Sequence, residues 1–285
     1  MSAVKIIQPE SVADICVNLK KYQPNAVLHA GGTDLIVRIR NGSLAPACII
    51  DLSKVASLNR IQQLSGNTWR IGCMTTLSDL IEMEEIRKKY HALCESLQLI
   101  GSVQIRNRAT LIGNVCNASP AADSVPPLML FDARVNIKSQ SGERSEALED
   151  FILGPDQTGL RVDEFVESID LPALRGRCAS AYARIGRRKS VDCSVAGVAV
   201  RLNDNGIVRV AFGAVAPVTF RAKTIEDLLS QNPWDAKSIE AAASLAEAAV
   251  EPIDDIRSSE AYRRHMSSVL FKRAFDAARS RLEKE

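Results

Sequence analysis

The sequence has no apolar run approaching the roughly 20 residues that cross a bilayer, so no transmembrane helix is expected. Its first ten residues carry neither an apolar core nor small residues in a cleavage-site pattern. No export signal is expected, and the cytoplasm is the expected location. An excess of charge of one sign is missing too: 36 Lys and Arg face 34 Asp and Glu, a net charge of +2. No block of like charges stands out, so neither nucleic acid nor membrane insertion is indicated. Seven cysteines, Cys16, Cys48, Cys73, Cys94, Cys116, Cys178 and Cys193, lie apart with no CxxC or CxxxxC spacing. That argues against a disulfide framework and against local zinc or iron–sulfur ligand patterns. The three histidines, His29, His91 and His265, are also far apart, and no metal site is expected. The glycine fingerprint GxGxxG and the P-loop are both absent, which disfavours a Rossmann-type nucleotide site. Aromatic residues make up 5% of the chain, and Trp69 and Trp234 read as packing residues.

What is present describes an ordinary globular chain. The 285 residues, 46% hydrophobic and 25% charged, allow one large domain or two to three small ones with a sizeable core. Val12, Ile15, Cys16 and Leu19 share a helical face behind Ser11 as N-cap. The segment 22–25 breaks that helix. A strand is expected over 26–28, a helix over 35–40 ending at Asn41-Gly42, and a strand over 47–52. This order is a small α/β unit. A second unit follows, with a strand at 69–72, helices over 76–90 and 90–100, a strand at 134–138, a turn at 139–142 and a strand at 164–171. Beyond residue 175 the pattern gives strands over 179–185, 195–202 and 207–214, the last two joined by the hairpin turn Asn203-Asp-Asn-Gly206. Helices are expected over 224–229, 238–250 and 258–282. In the last, Tyr262, Met266, Val269, Leu270 and Ala274 form a packing stripe.

Two glycine-containing segments carry the chemistry. In Val27-Leu-His-Ala-Gly-Gly-Thr-Asp34, paired glycines between a strand and a helix let backbone approach a ligand closely. Their N–H groups and the following helix start suit a pyrophosphate, with Thr33 and Asp34 adding side-chain hydrogen bonds. Taken alone, the segment also reads as a turn that merely satisfies geometry. In residues 104–123, small residues are interspersed with Thr110, Asn114, Asn117, Ser119 and Asp123. So many hydrogen-bonding groups in a stretch of low charge suggest the wall of a polar-ligand pocket, although a capped, buried turn fits as well.

Together, these segments resemble the FAD-binding domain of molybdenum hydroxylases of the xanthine dehydrogenase or carbon monoxide dehydrogenase type, a fold shared with vanillyl-alcohol oxidase and p-cresol methylhydroxylase. Ala30-Gly-Gly-Thr-Asp34 resembles the first pyrophosphate loop and residues 104–123 the second FAD loop. Residues 71–80, Gly186-Arg-Arg-Lys-Ser-Val-Asp192 and Phe212-Gly-Ala-Val-Ala-Pro217 add further likeness, in order along nearly the whole chain. The strongest likeness is to the separate FAD subunits of bacterial xanthine dehydrogenases.

The resemblance implies an α+β chain. A p-cresol methylhydroxylase/vanillyl-alcohol oxidase (PCMH/VAO)-type FAD-binding domain over 1–174 is built of two α/β subdomains, about 1–57 and 58–174. A C-terminal α/β domain of the CO dehydrogenase flavoprotein type, an antiparallel sheet with helices, covers 175–285. It implies that Val27, Leu28, His29, Ala30, Gly31, Gly32, Thr33 and Asp34 line the FAD diphosphate. Ala109, Thr110, Leu111, Ile112, Gly113 and Asn114 lie on the ribityl and flavin side. Asp123 bonds sugar or ribityl hydroxyls, Phe165 packs near the adenine, and Arg184 falls where relatives often carry a lysine near the flavin. No catalytic acid, base or nucleophile is assigned, because redox chemistry belongs to the cofactor. The implied partners are a molybdenum-cofactor subunit and a [2Fe–2S] subunit in a heterotrimer, with NAD+ or another compound as electron acceptor. One departure is Ile112 in place of the first of two glycines. A branched residue disfavours positive φ and brings its side chain toward the cofactor, so either the backbone there is compatible, or FAD sits differently or binds weakly. A free-standing flavin oxidoreductase and a structural subunit that has lost FAD are the competing readings.

Overall fold

The computed structural model describes residues 4–284. The first unit is β1 (Lys5–Ile7), α1 (Val12–Tyr22), β2 (Ala26–His29), α2 (Leu35–Arg40) and β3 (Cys48–Asp51). The Ser11 hydroxyl caps α1 by accepting from the Asp14 N–H at 3.1 Å, and Ile15, Cys16 and Leu19 are its buried face. Both β1 and β2 pair in parallel with β3, giving the order β1-β3-β2. Because the strands run parallel, α1 and α2 both follow strands, and the loop after β2 opens at the carboxyl edge of the sheet.

The second unit begins with β4 (Ile61–Gln63), β5 (Trp69–Gly72), α3 (Leu77–Glu82), α4 (Glu84–Lys89), α5 (His91–Gln98), α6 (Val103–Arg106), α7 (Leu111–Cys116) and α8 (Val125–Leu130). It ends with β6 (Arg134–Ser139), β7 (Gly142–Ala147), α9 (Leu148–Phe151), β8 (Ile152–Gly154), β9 (Gln157–Thr158) and β10 (Phe165–Leu171). Its main sheet is antiparallel, in the order β4-β5-β10-β6-β7. The single helix expected over 76–90 is two helices. Met83 is extended between them, which turns the chain so that Ile86 is buried along with Leu77 and Leu80. Pro126 and Pro127 fall in the first turn of α8, where a missing N–H costs nothing, and every residue of this helix is buried.

The third unit contains β11 (Cys178–Ile185), β12 (Ala196–Asn203), β13 (Val208–Gly213), β14 (Phe220–Arg221), α10 (Lys223–Gln231), α11 (Ala236–Ala249) and α12 (Glu260–Leu282). The strands form an antiparallel sheet in sequence order. Alternation decides its two faces. Val198, Val200, Val210 and Phe212 pack on the sheet's own helices, whereas Tyr182, Ala199 and Ala211 join the core of the preceding units. Met266, Leu270 and Ala274 of α12 are buried as the spacing implied, but Tyr262 is exposed. Trp69 lies in the first core, and Trp234 packs edge-on to Phe275. Among the described residues, no helix is long and apolar enough to cross a membrane.

Candidate functional site

A cavity of about 430 Å³ lies where the loop after β2 meets the α6–α7 segment. The contact between the two is made of backbone. A Cβ on Gly31 would sit 1.9 Å from the Arg108 carbonyl oxygen, so only glycine lets these chains touch. Gly32 has φ +73°, and a Cβ there would meet the His29 Nε2 at 2.5 Å. The α6–α7 segment is held in turn by the chain before α3. The Leu77 N–H donates to the Ala109 carbonyl at 2.9 Å, and Thr76 and Thr110 form a β-bridge. The Thr110 hydroxyl then caps α7, accepting from the Gly113 N–H at 3.0 Å. The Ser124 hydroxyl donates to the Asn114 side chain at 2.6 Å.

Most of the residues singled out in the sequence come together here. Val27, Leu28, Ala30, Gly31, Gly32, Thr33 and Asp34 line the cavity from the loop after β2, Ala109, Thr110, Ile112, Gly113 and Asn114 from the α6–α7 segment, and Phe165 from β10. Ile112 lies inside α7 and is 4% exposed. Its backbone is helical, so the position does not require glycine. His29 and Leu111 are not part of the lining. Leu111 is in the core, and His29 Nδ1 lies 3.3 Å from Asp51 Oδ1. Burial works against ionisation of Asp51, but hydrogen bonds from Gln8, Ser53 and His29 outweigh it and bring its pKa down to about 2.

Asp123 and Arg184 also lie outside the lining, joined to each other across the boundary between the second and third units. One Asp123 oxygen accepts from Arg184 Nη1 at 2.7 Å; the other accepts from the hydroxyls of Tyr182 at 2.7 Å and Ser194 at 2.5 Å. Arg184 donates further to the Leu99 carbonyl at 2.8 Å. This network therefore grips the chain beside two lining residues, Ile100 next to Leu99 and, through Ser124, Asn114. Burial pushes the Asp123 carboxyl up against the opposing pull of Arg184 and the hydroxyls, and burial and Asp123 raise the Tyr182 phenol well above its ordinary value.

The sequence reading missed Leu35 and Arg38, which lie on the cavity side of α2; a helical turn from Asp34 to Arg38 was the available signal, and the two side chains lie 3.9 Å apart. It also missed Leu52, Cys73 and Leu160, which stand in turns and loops brought to the wall by the fold, and Val166 of β10; none left a local signal. Burial raises both cavity thiols, Cys116 to about 12 and Cys73 further, so neither is a thiolate nucleophile at neutral pH.

The lining suits an elongated dinucleotide such as FAD. Its volume falls within the roughly 300–1,000 Å³ of small-molecule sites, and its walls are mostly apolar with few polar groups. Gly31 and Gly32 present backbone at the wall, while the space a Cβ would need is taken by the Arg108 carbonyl and the His29 ring; backbone exposed in this way suits a diphosphate.

Residues 2–174 match the family described as the FAD binding domain in molybdopterin dehydrogenase, and residues 180–278 match the CO dehydrogenase flavoprotein C-terminal domain. The chain is 31% identical over 267 residues to the xanthine dehydrogenase FAD-binding subunit of Escherichia coli, covering 92% of this chain and 91% of that protein. It is 30% identical over 277 residues to the carbon monoxide dehydrogenase medium chain of Hydrogenophaga pseudoflava, covering 96% of each. Among solved structures, carbon monoxide dehydrogenase from Hydrogenophaga pseudoflava superposes with a TM-score of 0.93 at 29% identity over 98% of both chains. Quinoline 2-oxidoreductase from Pseudomonas putida superposes with a TM-score of 0.90 at 26% identity, covering 97% of this chain and 96% of that one.

Proposed function

Because the chain belongs to the family of FAD-binding subunits of molybdopterin dehydrogenases, we propose that it is the subunit through which electrons leave a molybdenum hydroxylase complex. Electrons reach it from the [2Fe–2S] clusters of one partner, after substrate oxidation at the molybdenum cofactor of another, and pass on to NAD+ or another acceptor. FAD, when bound, supplies the redox chemistry that joins these carriers. The chain itself brings no cysteine spacing for clusters, which supports the assignment of those groups to partner subunits. We place the FAD-binding part at 1–174, the C-terminal part at 175–285 and the complex in the cytoplasm.

In this reading the protein binds, orients and shields. Gly31 and Gly32 present backbone to the diphosphate, with Thr33 beside them. Thr110 and Asn114 face the ribityl and flavin side, and Phe165 lies at the adenine end. Asp123 and Arg184 act at the flavin end through the wall residues that they fasten. The observation that carries the reading is the Gly31–Arg108 backbone contact, which closes the loop after β2 onto the α6–α7 segment and leaves the backbone of Gly31 and Gly32 in the cavity wall. The helical placement of Ile112 supports retention of FAD, since that position does not call for glycine.

The test is an absorbance spectrum of the purified chain before and after incubation with excess FAD and desalting. Retained flavin bands, together with molybdenum and iron in the complex isolated through a tagged chain, are the expected result. A chain that stays colourless while still co-purifying with both metals would shift the reading to a structural subunit. A flavin-loaded chain that isolates alone and is reduced by NADH would shift it to a free-standing oxidoreductase.

A further inference from the structure

Ile256 is 90% exposed and Ile253 is 69% exposed, the two highest exposures among the large hydrophobic residues of the described surface. Isolated exposed apolar residues are ordinary. These two differ because the loop carrying them, residues 251–259 between α11 and α12, is tightly fastened. Its root is the buried Pro252. The Glu251 N–H donates to the Val215 carbonyl at 2.9 Å, and Asp255 and Ser258 exchange backbone hydrogen bonds at 3.1 and 3.3 Å. Asp255 Oδ1 accepts from the N–H groups of Arg257 at 2.8 Å and Ser258 at 3.1 Å, and pairs with Arg263 Nη2 at 2.7 Å. Asp254 Oδ1 accepts from the Glu260 N–H at 2.5 Å. Arg263 is itself buried and donates to the carbonyls of Val195 at 2.8 Å and Ala214 at 3.1 Å.

Such a loop holds two isoleucines in water without letting them fold back. Preorganised apolar side chains are what binding rewards, since little ordering entropy remains to be lost. Beside them Glu251 and Asp254 are exposed without a salt-bridge partner among the described residues, while Glu260 pairs with Arg264 at 2.9 Å and Arg257 with Asp255 at 3.2 Å, which leaves an acidic rim. A second copy of the same loop would bring acid against acid, and an anionic lipid surface would repel it. The complementary surface is an apolar socket with a basic rim.

The loop is also continuous with the cavity. Val195, which Arg263 holds, follows Ser194, whose hydroxyl bonds Asp123. Asp123 and its partner Arg184 in turn fasten the chain next to Asn114 and Ile100. We propose that loop 251–259 is the docking element by which this chain joins its complex, with Ile253 and Ile256 seated in an apolar, lysine- or arginine-rimmed socket of a partner subunit. This rests on the reading that the chain works within a molybdenum hydroxylase.

The test compares complexes isolated through a tagged chain carrying wild-type loop, Ile253→Ser with Ile256→Asp, or Glu251→Lys with Asp254→Lys. Molybdenum and iron per chain are measured, along with FAD content and melting temperature of each chain alone. The isoleucine variant is expected to assemble roughly thirtyfold more weakly, as loss of an interface hot spot does. Its FAD content and melting should match wild type, since neither side chain contributes to the cavity or core. The charge variant is expected to lose metals at low salt. Full metal content in both variants would overturn the proposal while leaving the function reading intact. Wild type without either metal would overturn both. A dimer of the isolated chain that the isoleucine variant dissolves would show that the loop binds a second copy instead.

Discussion

A glycine is worth most where the atom that it avoids cannot move. Gly31 faces the Arg108 carbonyl, a backbone atom held by its own neighbours, so Gly31→Ala has to push the loop after β2 off the α6–α7 segment. FAD retention after desalting is expected to be lost, with the chain still folded by circular dichroism. Gly113→Ala is the milder control, because its Cβ would meet the Thr110 hydroxyl, a side-chain atom, at 2.9 Å. Ile112→Gly should not tighten FAD. It removes a buried side chain and places glycine inside a helix, so stability should fall by about 3–5 kcal/mol, read as the shift in urea midpoint. Tighter FAD in that variant would mean that the native side chain obstructs the site. Asp51 gives a pH signature. Its carboxyl is held below the ordinary 3.8, at about 2. Its contribution is thus complete above about pH 4 and disappears as pH falls toward 2, and amounts to about 2 kcal/mol. The stability gap between wild type and Asp51→Asn should therefore close across that interval and stay constant from pH 5 to 7.

At the scale of elements, local chemistry was readable and long-range pairing was not. Strands β2, β5 and β10 and the hairpin of β12 and β13 stood out because alternation and glycine turns are local signals. The two loops of the site were legible for the same reason: Gly31-Gly32 and Thr110 with Asn114 are short runs whose composition is unusual. Leu52 and Cys73 were not legible, because they directly follow β3 and β5, strands placed by pairing between distant segments; Leu160 stands in a loop with no local pattern. The break at Met83 was hidden, since the residues on both sides suit a helix and only burial of Ile86 separates them. Tyr262 failed as a packing residue although its spacing fits, because it stands in the first turn of α12, beside the exposed loop. That turn depends on Ser259, whose hydroxyl accepts from the Tyr262 N–H at 3.3 Å. Ser259→Ala should cost about 1 kcal/mol and speed hydrogen exchange at Tyr262, with the middle of α12 unchanged.

For the molecule as a whole, the decisive feature is how the third unit is attached. Helix α8 lies buried against the sheet of β11 to β14, and an aspartate stands just beyond each of its ends. Asp123, before it, pairs with Arg184 at 2.7 Å; Asp132, after it, pairs with Arg221 at 3.2 Å. Glu95 of α5 adds a third tie, accepting from the Tyr182 N–H at 2.8 Å and pairing with Arg281 of α12. With both ends of one helix pinned, the two cores should unfold together, as a single calorimetric transition. Asp123→Ala leaves the Arg184 guanidinium buried without its carboxylate, which should cost about 3–5 kcal/mol and split the melt into two transitions. It should also speed FAD release, because the same arginine holds the Leu99 carbonyl beside the cavity. Asp123→Leu with Arg184→Met removes both charges together and should recover most of the stability. FAD release should nevertheless stay fast in that double variant, since methionine cannot donate to Leu99. If stability and FAD retention were to return together, the pair would be only a fastening between cores, with no separate hold on the cavity wall.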